Sequence, residues 1–440
     1  MYSRRIFVLH VRSFQIYRMI IYLMVLYILD KNLFDFLSFG TTKLLYYAVV
    51  AFFGLFGIIK GIQTKKYRKI TIWFLIYCLF VLFNGFLTFD SERFSFGLIE
   101  YLTYPLVFFS FLFLFKGFRE PVHYKKLVNL LFVWSSITSV LALFEYIAKR
   151  PIILSDNITI YDFLDGSSAY RAGVFIGSPM ILAIVLGMIT LIMLYVYKVN
   201  KEKRLMKYII LNFLGILATC SRGPLLFTIM AIMAMYLCFF KKKIIGKKTF
   251  GKVFLLGTLL LIFIVVFVFF DVKTGIDGID TIIKRFGNTF NSKESGNTAR
   301  IMIWTYYLNE FIVSPYIGRG IAITSNLVTN NLSHFNGLFT IAVAESGLLT
   351  RLVETGLIGT VLYYVFIIKC AKNSFKRKVY ANNRLLNLNN ILVIGVLIIF
   401  FLEDIILQIS TDIFANFIVL MILVTIASIN ERTNICGEKR

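Results

Sequence analysis

The stretch "LMKYIILNFLGILATCSRGPLLFTIMAIMAMYLCFF" (residues 205–240) places one arginine, Arg222, between two long apolar runs. A helix needs about 20 residues to cross the hydrocarbon core of a bilayer. Each run comes close to that length, and Gly223 and Pro224 follow Arg222 directly. The pattern predicts two membrane-spanning helices joined by a tight turn, in which glycine permits the turn and proline starts the second helix.

Hydrophobic residues make up 58% of the 440-residue chain, and the mean hydropathy is +0.79. This is far more apolar than an average soluble domain. We therefore predict an all-α polytopic membrane protein in which residues 1–440 form a single integral membrane domain. About twelve spans are expected, near residues 14–30, 44–60, 70–89, 98–115, 127–147, 173–197, 205–221, 223–240, 253–270, 353–369, 388–406 and 411–429.

The distribution of charge predicts the orientation of these spans. If the N-terminus is cytoplasmic and the spans alternate, inner segments hold 32 of the 47 Lys and Arg but only 4 of the 23 acidic residues. This is the positive-inside pattern of membrane proteins. We expect a multi-pass protein of the cytoplasmic (inner) membrane with both termini in the cytoplasm and an uncleaved first span. The net charge of +24 is thus a topology signal, and no nucleic-acid partner is expected.

One connection is much longer than the others, at residues 271–352 between the ninth and tenth spans, and it falls on the outer side. Its segment "NTARIMIWTYYLNEFIVSP" has apolar residues at helical spacing, so we expect an amphipathic helix on the outer membrane surface. The segment "SGLLTRLVETG" predicts a second short helix that runs into the next span. A loop of this size usually has structure and function.

Five of the arginines in predicted outer segments, where the positive-inside rule disfavours them, are candidates for a binding site. They are Arg171, Arg222, Arg300, Arg319 and Arg351. Each could be a solvated or interfacial anchor whose head group reaches water. Together they could bind an anion, because the planar guanidinium donates two parallel hydrogen bonds to a phosphate. The second interpretation predicts a lipid-linked phosphate or pyrophosphate as the ligand.

His334 is the one histidine in a predicted outer segment, since His10 and His123 fall on the cytoplasmic side. It could be a surface residue, or a general base near the arginines, because imidazole accepts protons near neutral pH. Glu345 and Glu354 flank the short predicted helix and could pair with Arg351. The sequence has no Cys and His spacing typical of a metal site and no nucleotide-binding fingerprint, so no metal or other cofactor is expected.

Several of these stretches resemble the O-antigen ligase/polymerase superfamily. "TCSRGPLL" resembles its Thr-x-Ser-Arg-Gly signature, and "YRAGVFIGSPMILA" resembles its Arg-x-x-Gly-x-Phe stretch. "ARIMIWTYYLNEFIVSPYIGRG" is similar to its Arg-x-x-x-Trp segment, and "SHFN" with "ESGLLTRLVETGLIG" to its His-Asn and Glu-x-Gly-Leu segment. Phe335 separates His334 from Asn336, where the family often has the two adjacent. The last stretch looks more like the Wzy-type polysaccharide polymerase branch. The first five spans resemble the family only in hydropathy.

The resemblance implies a metal-independent glycosyltransferase of polysaccharide biosynthesis that works at the cell envelope. The implied donor is an oligosaccharide repeat unit on a polyprenyl (undecaprenyl) diphosphate, and the implied product is O-antigen, capsule or exopolysaccharide. The five arginines and Glu345 would bind the pyrophosphate and substrate, and His334 would be the general base. Membrane lipid, a flippase and a chain-length regulator are the implied partners.

Two alternatives remain at this point. An O-antigen ligase would transfer the glycan to lipid A core. A flippase or transporter of the same lipid would not be an enzyme, and would be expected to carry charges in the middle of several spans and internal symmetry. Here the charges collect at one predicted face and no repeat is visible, which favours an enzyme.

Overall fold

The computed structural model describes most of the chain. The described residues are 2–29, 41–87, 94–118, 121–152, 160–162, 168–242, 295–324, 346–375, 384–407 and 412–437, with a few single positions between them. They form twelve α-helices, a short 3-10 helix and two three-residue strands. The helices are α1 (Tyr2–Leu29), α2 (Thr41–Gln63), α3 (Lys65–Leu87), α4 (Phe94–Leu114), α5 (Pro121–Ala148), α6 (Pro179–Asn200), α7 (Leu205–Ala218), α8 (Arg222–Lys241), α9 (Ser295–Val313), α10 (Gly347–Ser374), α11 (Arg384–Ile406) and α12 (Ile413–Gly437).

The predicted all-α membrane fold is confirmed. Among the described residues, eight helices are long and apolar enough to cross a membrane, and α7 and parts of α1 and α12 form shorter apolar helices. Eleven of the predicted spans therefore coincide with an apolar helix, and the span predicted at 253–270 lies outside the described residues except for Leu255. The agreement arises because backbone groups in lipid must be hydrogen-bonded within the segment, so an apolar run of this length forms a helix.

The chain divides into two compact units whose segments alternate along the sequence. The first unit comprises Met1–Leu130, Ile303–Arg377 and Leu407–Arg440, and the second comprises Leu131–Met302 and Lys378–Ile406. Hydropathy alone contains no signal for this division. The prediction that residues 1–440 form a single integral membrane domain stays a prediction.

In the first unit, glycines allow two helices to approach closely. A Cβ atom added at Gly57 of α2 would collide with the carbonyl group of Phe109 in α4. Phe109 in turn packs against Phe74 of α3, with ring centroids 4.8 Å apart, and stacks on Phe366 of α10 at 6.3 Å. Lipid tails are as apolar as these side chains, so close packing rather than water exclusion holds such helices together.

In the second unit, α6 is buried along most of its length. Its Gly187 packs directly against the Thr228 side chain of α8. The fully buried Asn212 of α7 accepts a hydrogen bond from Ser139 at 3.1 Å and approaches Ser135 and Thr190, each at 3.4 Å. A buried amide with its partners satisfied ties neighbouring helices together within an apolar interior.

The helix predicted in the long loop is present as α9, but it begins at Ser295, two residues earlier than expected. Its Ile303 and Tyr307 are buried, whereas Leu308 and Ile312 are exposed. The position of α9 on the outer membrane surface stays a prediction. The second predicted loop helix and the tenth predicted span form one element, α10, in which Gly356 makes a kink with φ 62°.

A short antiparallel ribbon lies where the sequence predicted only a loop. Strand β1 (Ile160–Asp162) pairs with β2 (Ser168–Tyr170), and Ile160 is opposite Tyr170. Three residues per strand are too few to produce a clear alternating pattern in the sequence. The ribbon leads directly into Arg171.

Candidate functional site

Arg171 follows the last residue of β2, and only 7% of it is exposed. Its Nη2 donates to Ser221 Oγ at 3.1 Å and its Nε to the carbonyl oxygen of Thr219 at 3.4 Å. The backbone N–H of Ala172 also donates to the carbonyl oxygen of Ala218 at 3.2 Å. The stretches "YRAGVF" and "TCSRG", about fifty residues apart in sequence, are therefore joined at one place.

The loop after Arg171 is held by a carboxylate that the sequence analysis missed. Glu145, near the end of α5, is 1% exposed and accepts backbone N–H donors of Gly173 and Val174 at 3.1 Å each. It also accepts the N–H of Ile152 at 2.9 Å. Three charge-assisted hydrogen bonds fix this loop and, with it, the start of the Arg171 segment. An acidic residue within an apolar span was the available sequence signal.

Arg222 is the first residue of α8, after the non-helical residues Cys220 and Ser221. The Ser221 N–H donates to Thr219 Oγ1 at 3.2 Å, which stabilises the turn. Pro224 was expected to start the helix, but it is the third residue of α8, because Arg222 and Gly223 are already helical. The missing N–H of proline has no cost there, since first-turn N–H groups have no partner within the helix. The Arg222 side chain is half-buried.

Arg300, in the second turn of α9, is half-buried as well. Its Nη2 lies 3.9 Å from Sδ of Met180, the second residue of α6. The loop from Arg171 to Ser178 leads directly into that helix. Arg300 is therefore next to the helix that follows the Arg171 segment, although it comes from a distant part of the chain.

A second carboxylate that the sequence analysis did not select lies near the first turn of α8. Glu403 of α11 is 0% exposed, and its Oε2 lies 3.8 Å from the position that a Cβ on Gly223 would occupy. We call Arg171, Arg222 and Arg300 the arginine cluster. Its members belong to the second unit: Arg171 binds Ser221, which directly precedes Arg222, and Arg300 approaches Met180 at the start of α6.

Arg351 belongs to the first unit and is buried, with 1% of its surface exposed. Its Nη2 donates to the carbonyl oxygen of Ser410 at 2.6 Å and its Nη1 to the Tyr77 hydroxyl at 3.2 Å. The guanidinium carbon stacks 3.5 Å from the centroid of the Tyr363 ring. The guanidinium of Arg351 is thus surrounded by tyrosine side chains and a backbone carbonyl group. Its role in binding pyrophosphate stays a prediction.

The predicted pair of Arg351 with Glu354 is not formed in the described chain. The fully buried Glu354 accepts hydrogen bonds from the hydroxyl groups of Tyr101 and Thr324. The Thr324 N–H also approaches it at 3.4 Å. The spacing of three residues would suit an exposed helix pair, but each side chain finds closer partners on other elements.

The stretches "SPYIGRG" and "RLVETG" interlock through their backbones in the first unit. The backbone N–H of Arg319 donates to the carbonyl oxygen of Val353 at 2.7 Å, and the N–H of Leu357 donates to the carbonyl oxygen of Pro315 at 2.8 Å. Gly318 and Gly356 have positive φ angles of 87° and 62°, and a Cβ on either would collide with the other segment. Glycine suits both positions because it adopts this conformation at low cost and leaves room for the neighbouring backbone.

The remaining site predictions are tested only in part. The Arg319 side chain forms an ion pair with Glu310 of α9. His334 and Glu345 lie outside the described residues, and their roles stay predictions. In the described part of the chain, no group of three or more His, Cys, Asp or Glu residues is arranged to hold a metal ion. Metal independence also stays a prediction.

The family model described as O-antigen ligase matches residues 207–364. This range contains the turn at Arg222, all of α9, the interlocked glycine segments and His334, whereas Arg171 precedes it. No curated protein matches the sequence.

The family match supports an enzyme that processes glycans at a membrane. It agrees with the resemblance noted in the sequence, because four of the five resembling stretches fall within the matched range. Residues 207–364 are therefore similar to an O-antigen ligase domain, which is consistent with a member of the O-antigen ligase/polymerase superfamily.

Proposed function

We propose that this protein is a glycosyltransferase that polymerises oligosaccharide repeat units linked to polyprenyl diphosphate at the outer face of the cytoplasmic membrane. The observation that carries the proposal is the arginine cluster. Its three arginines come from three separate segments: Arg171 precedes α6, Arg222 begins α8, and Arg300 lies in the second turn of α9. Arginine at such a position is costly in lipid unless an anionic or polar partner shares the site.

A diphosphate on a polyprenyl chain matches this site in charge and in its expected position near the membrane surface. Its phosphoryl oxygens accept paired hydrogen bonds from guanidinium groups. Its lipid tail keeps those oxygens near the membrane surface, where helix ends are expected. Arg171 is already oriented by Ser221 and Thr219, so little rearrangement of that side chain is needed on binding.

The same cluster would assist the reaction. The hydroxyl oxygen of the acceptor sugar forms a bond to the anomeric carbon of the donor, and the bond from that carbon to the diphosphate oxygen breaks. Negative charge grows on the leaving diphosphate, and preorganised arginines stabilise it most effectively where water is scarce. We assign the removal of the hydroxyl proton to His334, with Glu345 as the next candidate.

A chain-extension experiment tests this function. Purified protein is incubated with lipid-linked repeat units, with and without added lipid A core as a second acceptor, and each mixture is tested once with a metal chelator and once without it. We expect a ladder of longer glycans under both conditions, because arginines take the role that a metal ion would otherwise have at the leaving group. Transfer to lipid A core without a ladder would identify a ligase. Absence of transfer with either acceptor would contradict the enzyme and favour a transporter.

The orientation of the chain is a separate prediction. A reporter fused near residue 300 should be outside the cytoplasm, and a reporter fused near residue 245 should be inside, because inner segments hold 32 of the 47 basic residues. Accessibility of each reporter to a membrane-impermeant reagent provides the measurement. The opposite pattern would place the arginine cluster on the cytoplasmic face and contradict the proposed reaction at the outer face.

A further inference from the structure

The first turn of α8 has no side-chain cap in the described part of the chain. Ser221 is its N-cap residue, and a serine there usually accepts the N–H of the second or third helical residue. Here the Ser221 hydroxyl instead accepts a hydrogen bond from Arg171 and donates one to the carbonyl oxygen of Thr219 at 3.3 Å. The contact that orients Arg171 therefore leaves the start of α8 uncapped.

The N–H that a cap would bind belongs to Gly223, the second residue of α8. The third residue is Pro224, which has no N–H to offer. Among the described residues, the Gly223 N–H has no hydrogen-bond partner. Unpaired N–H groups at the start of a helix have partial positive charge, and phosphate groups bind there readily. The Gly223 N–H is therefore a donor that an anion could use.

Glu403 of α11 is the polar side chain beside this N–H. It is completely buried, and neither of its carboxyl oxygens has a hydrogen-bond partner in the described structure. Apart from α8 itself, its Oε2 is the one described atom within 4 Å of a Cβ placed on Gly223, at a distance of 3.8 Å. The carboxyl group thus faces the uncapped turn without capping it.

The burial of Glu403 favours a neutral carboxyl group, because a charge without a hydrogen bond or an ion pair is very costly to remove from water. A neutral carboxyl group has an O–H donor, which a carboxylate lacks. A buried donor without a partner is also costly, and ionisable residues inside membrane proteins usually have a functional partner. Glu403 and the Gly223 N–H are therefore two unsatisfied donors at one place.

We propose that the Gly223 N–H and the carboxyl O–H of Glu403 form a subsite that binds one phosphoryl group of the diphosphate at the start of α8. The inference rests on the proposed function. The Cβ position near Glu403 and the backbone nitrogen of Gly223 share one Cα, so a single phosphoryl group can accept a hydrogen bond from both donors. The arginine cluster supplies charge, and this subsite supplies two donors that fix the orientation of the phosphoryl group.

Direct binding measurements on the full-length protein test the subsite. Glu403→Gln keeps the size and a neutral donor, whereas Glu403→Met removes the donor. Gly223→Ala adds a methyl group beside the N–H, and α8 should be retained because alanine is a better helix former than glycine. Gly246→Ala and Glu202→Met are the matched controls, because Gly246 and Glu202 are exposed. The probes are polyprenyl diphosphate and uncharged polyprenol.

Glu403→Met and Gly223→Ala should each bind polyprenyl diphosphate about tenfold more weakly than the wild type, which corresponds to the loss of one hydrogen bond to a charged group. Glu403→Gln should bind it like the wild type, because the amide N–H replaces the acid O–H. Polyprenol binding should not change in any variant. Both controls should bind both probes like the wild type.

Wild-type diphosphate binding by either Glu403→Met or Gly223→Ala would overturn the subsite and leave the proposed function in place. Equal losses in Glu403→Gln and Glu403→Met would also overturn it, because Glu403 would then be required as a carboxylate. A parallel loss of polyprenol binding would overturn it as well, since the damage would then extend beyond the phosphoryl group. Failure of the wild type to bind polyprenyl diphosphate would instead contradict the proposed function.

Gly223→Ala keeps the test decisive if Glu403→Met does not fold. Its methyl group changes the space beside the N–H without removing a buried polar side chain. Weaker diphosphate binding with unchanged polyprenol binding would then support the subsite, and wild-type binding of both probes would overturn it.

Discussion

Replacing Arg222 by alanine is expected to reduce glycan chain extension about 10²–10³-fold, the effect typical of removing one preorganised donor from a site of developing charge. Arg222 starts α8 and is next to the Arg171 contact with Ser221. Its loss removes a charged donor from the cluster while the helices around it stay packed. Arg300→Ala is expected to have the same effect. The measurement is the rate at which longer glycans form from lipid-linked repeat units.

Arg222→Lys separates an anion-binding role from an interfacial anchor. Lysine keeps the charge but not the planar pair of donors, so chain extension should remain impaired. Arg204→Ala provides the matched control. Arg204 is an exposed arginine directly before the first residue of α7, at the end of that helix away from Arg222, so this substitution should leave activity unchanged. Near-normal activity of Arg222→Lys would show that Arg222 only anchors the helix end at the membrane surface.

The helices of this protein could be predicted from the sequence because one physical rule dominates in lipid. A backbone without water must satisfy its own hydrogen bonds, so apolar runs of about 20 residues are helical almost without exception. The helix α9 could also be predicted, although its start at Ser295 differed by two residues. Helix ends depend on local capping contacts, which a hydropathy pattern does not contain.

The arrangement of the arginines was less predictable. The position of each arginine in a predicted loop indicates its membrane face, but it does not determine where the side chain points. Arg351 illustrates the difference, because Tyr77 and Tyr363 enclose its guanidinium in the first unit. Arg171, by contrast, reaches a turn about fifty residues away, and that contact requires Ser221 to precede α8.

The carboxylates were missed for a related reason. Glu145 and Glu403 were not selected, because no metal-binding or catalytic spacing surrounds them. Their significance comes from tertiary neighbours, which are three backbone N–H groups for Glu145 and the start of α8 for Glu403. An acidic residue within an apolar helix was a usable signal, because such a residue indicates a functional or structural partner as the outer arginines do.

His334→Ala is expected to have the other large effect, a loss of about 10²–10⁴-fold in the rate of chain extension, which is the usual contribution of a positioned general base. His334→Gln should be similarly impaired, since an amide does not accept the proton of a sugar hydroxyl. Donor binding should change little in both variants, because the arginine cluster holds the diphosphate. His123→Gln is the matched control, as His123 contacts Arg18 and is predicted to be cytoplasmic.

A general base at His334 is identified by loss of the chain-extension rate without loss of donor binding. A protonated imidazole cannot accept another proton, so wild-type activity should also fall on acidification while donor binding persists. Wild-type rates in both His334 variants would transfer the assignment to Glu345, and Glu345→Gln would then be the decisive variant. Loss of donor binding in both His334 variants would instead make His334 part of the substrate-binding surface, because removing a base leaves the arginines and the diphosphate contacts intact.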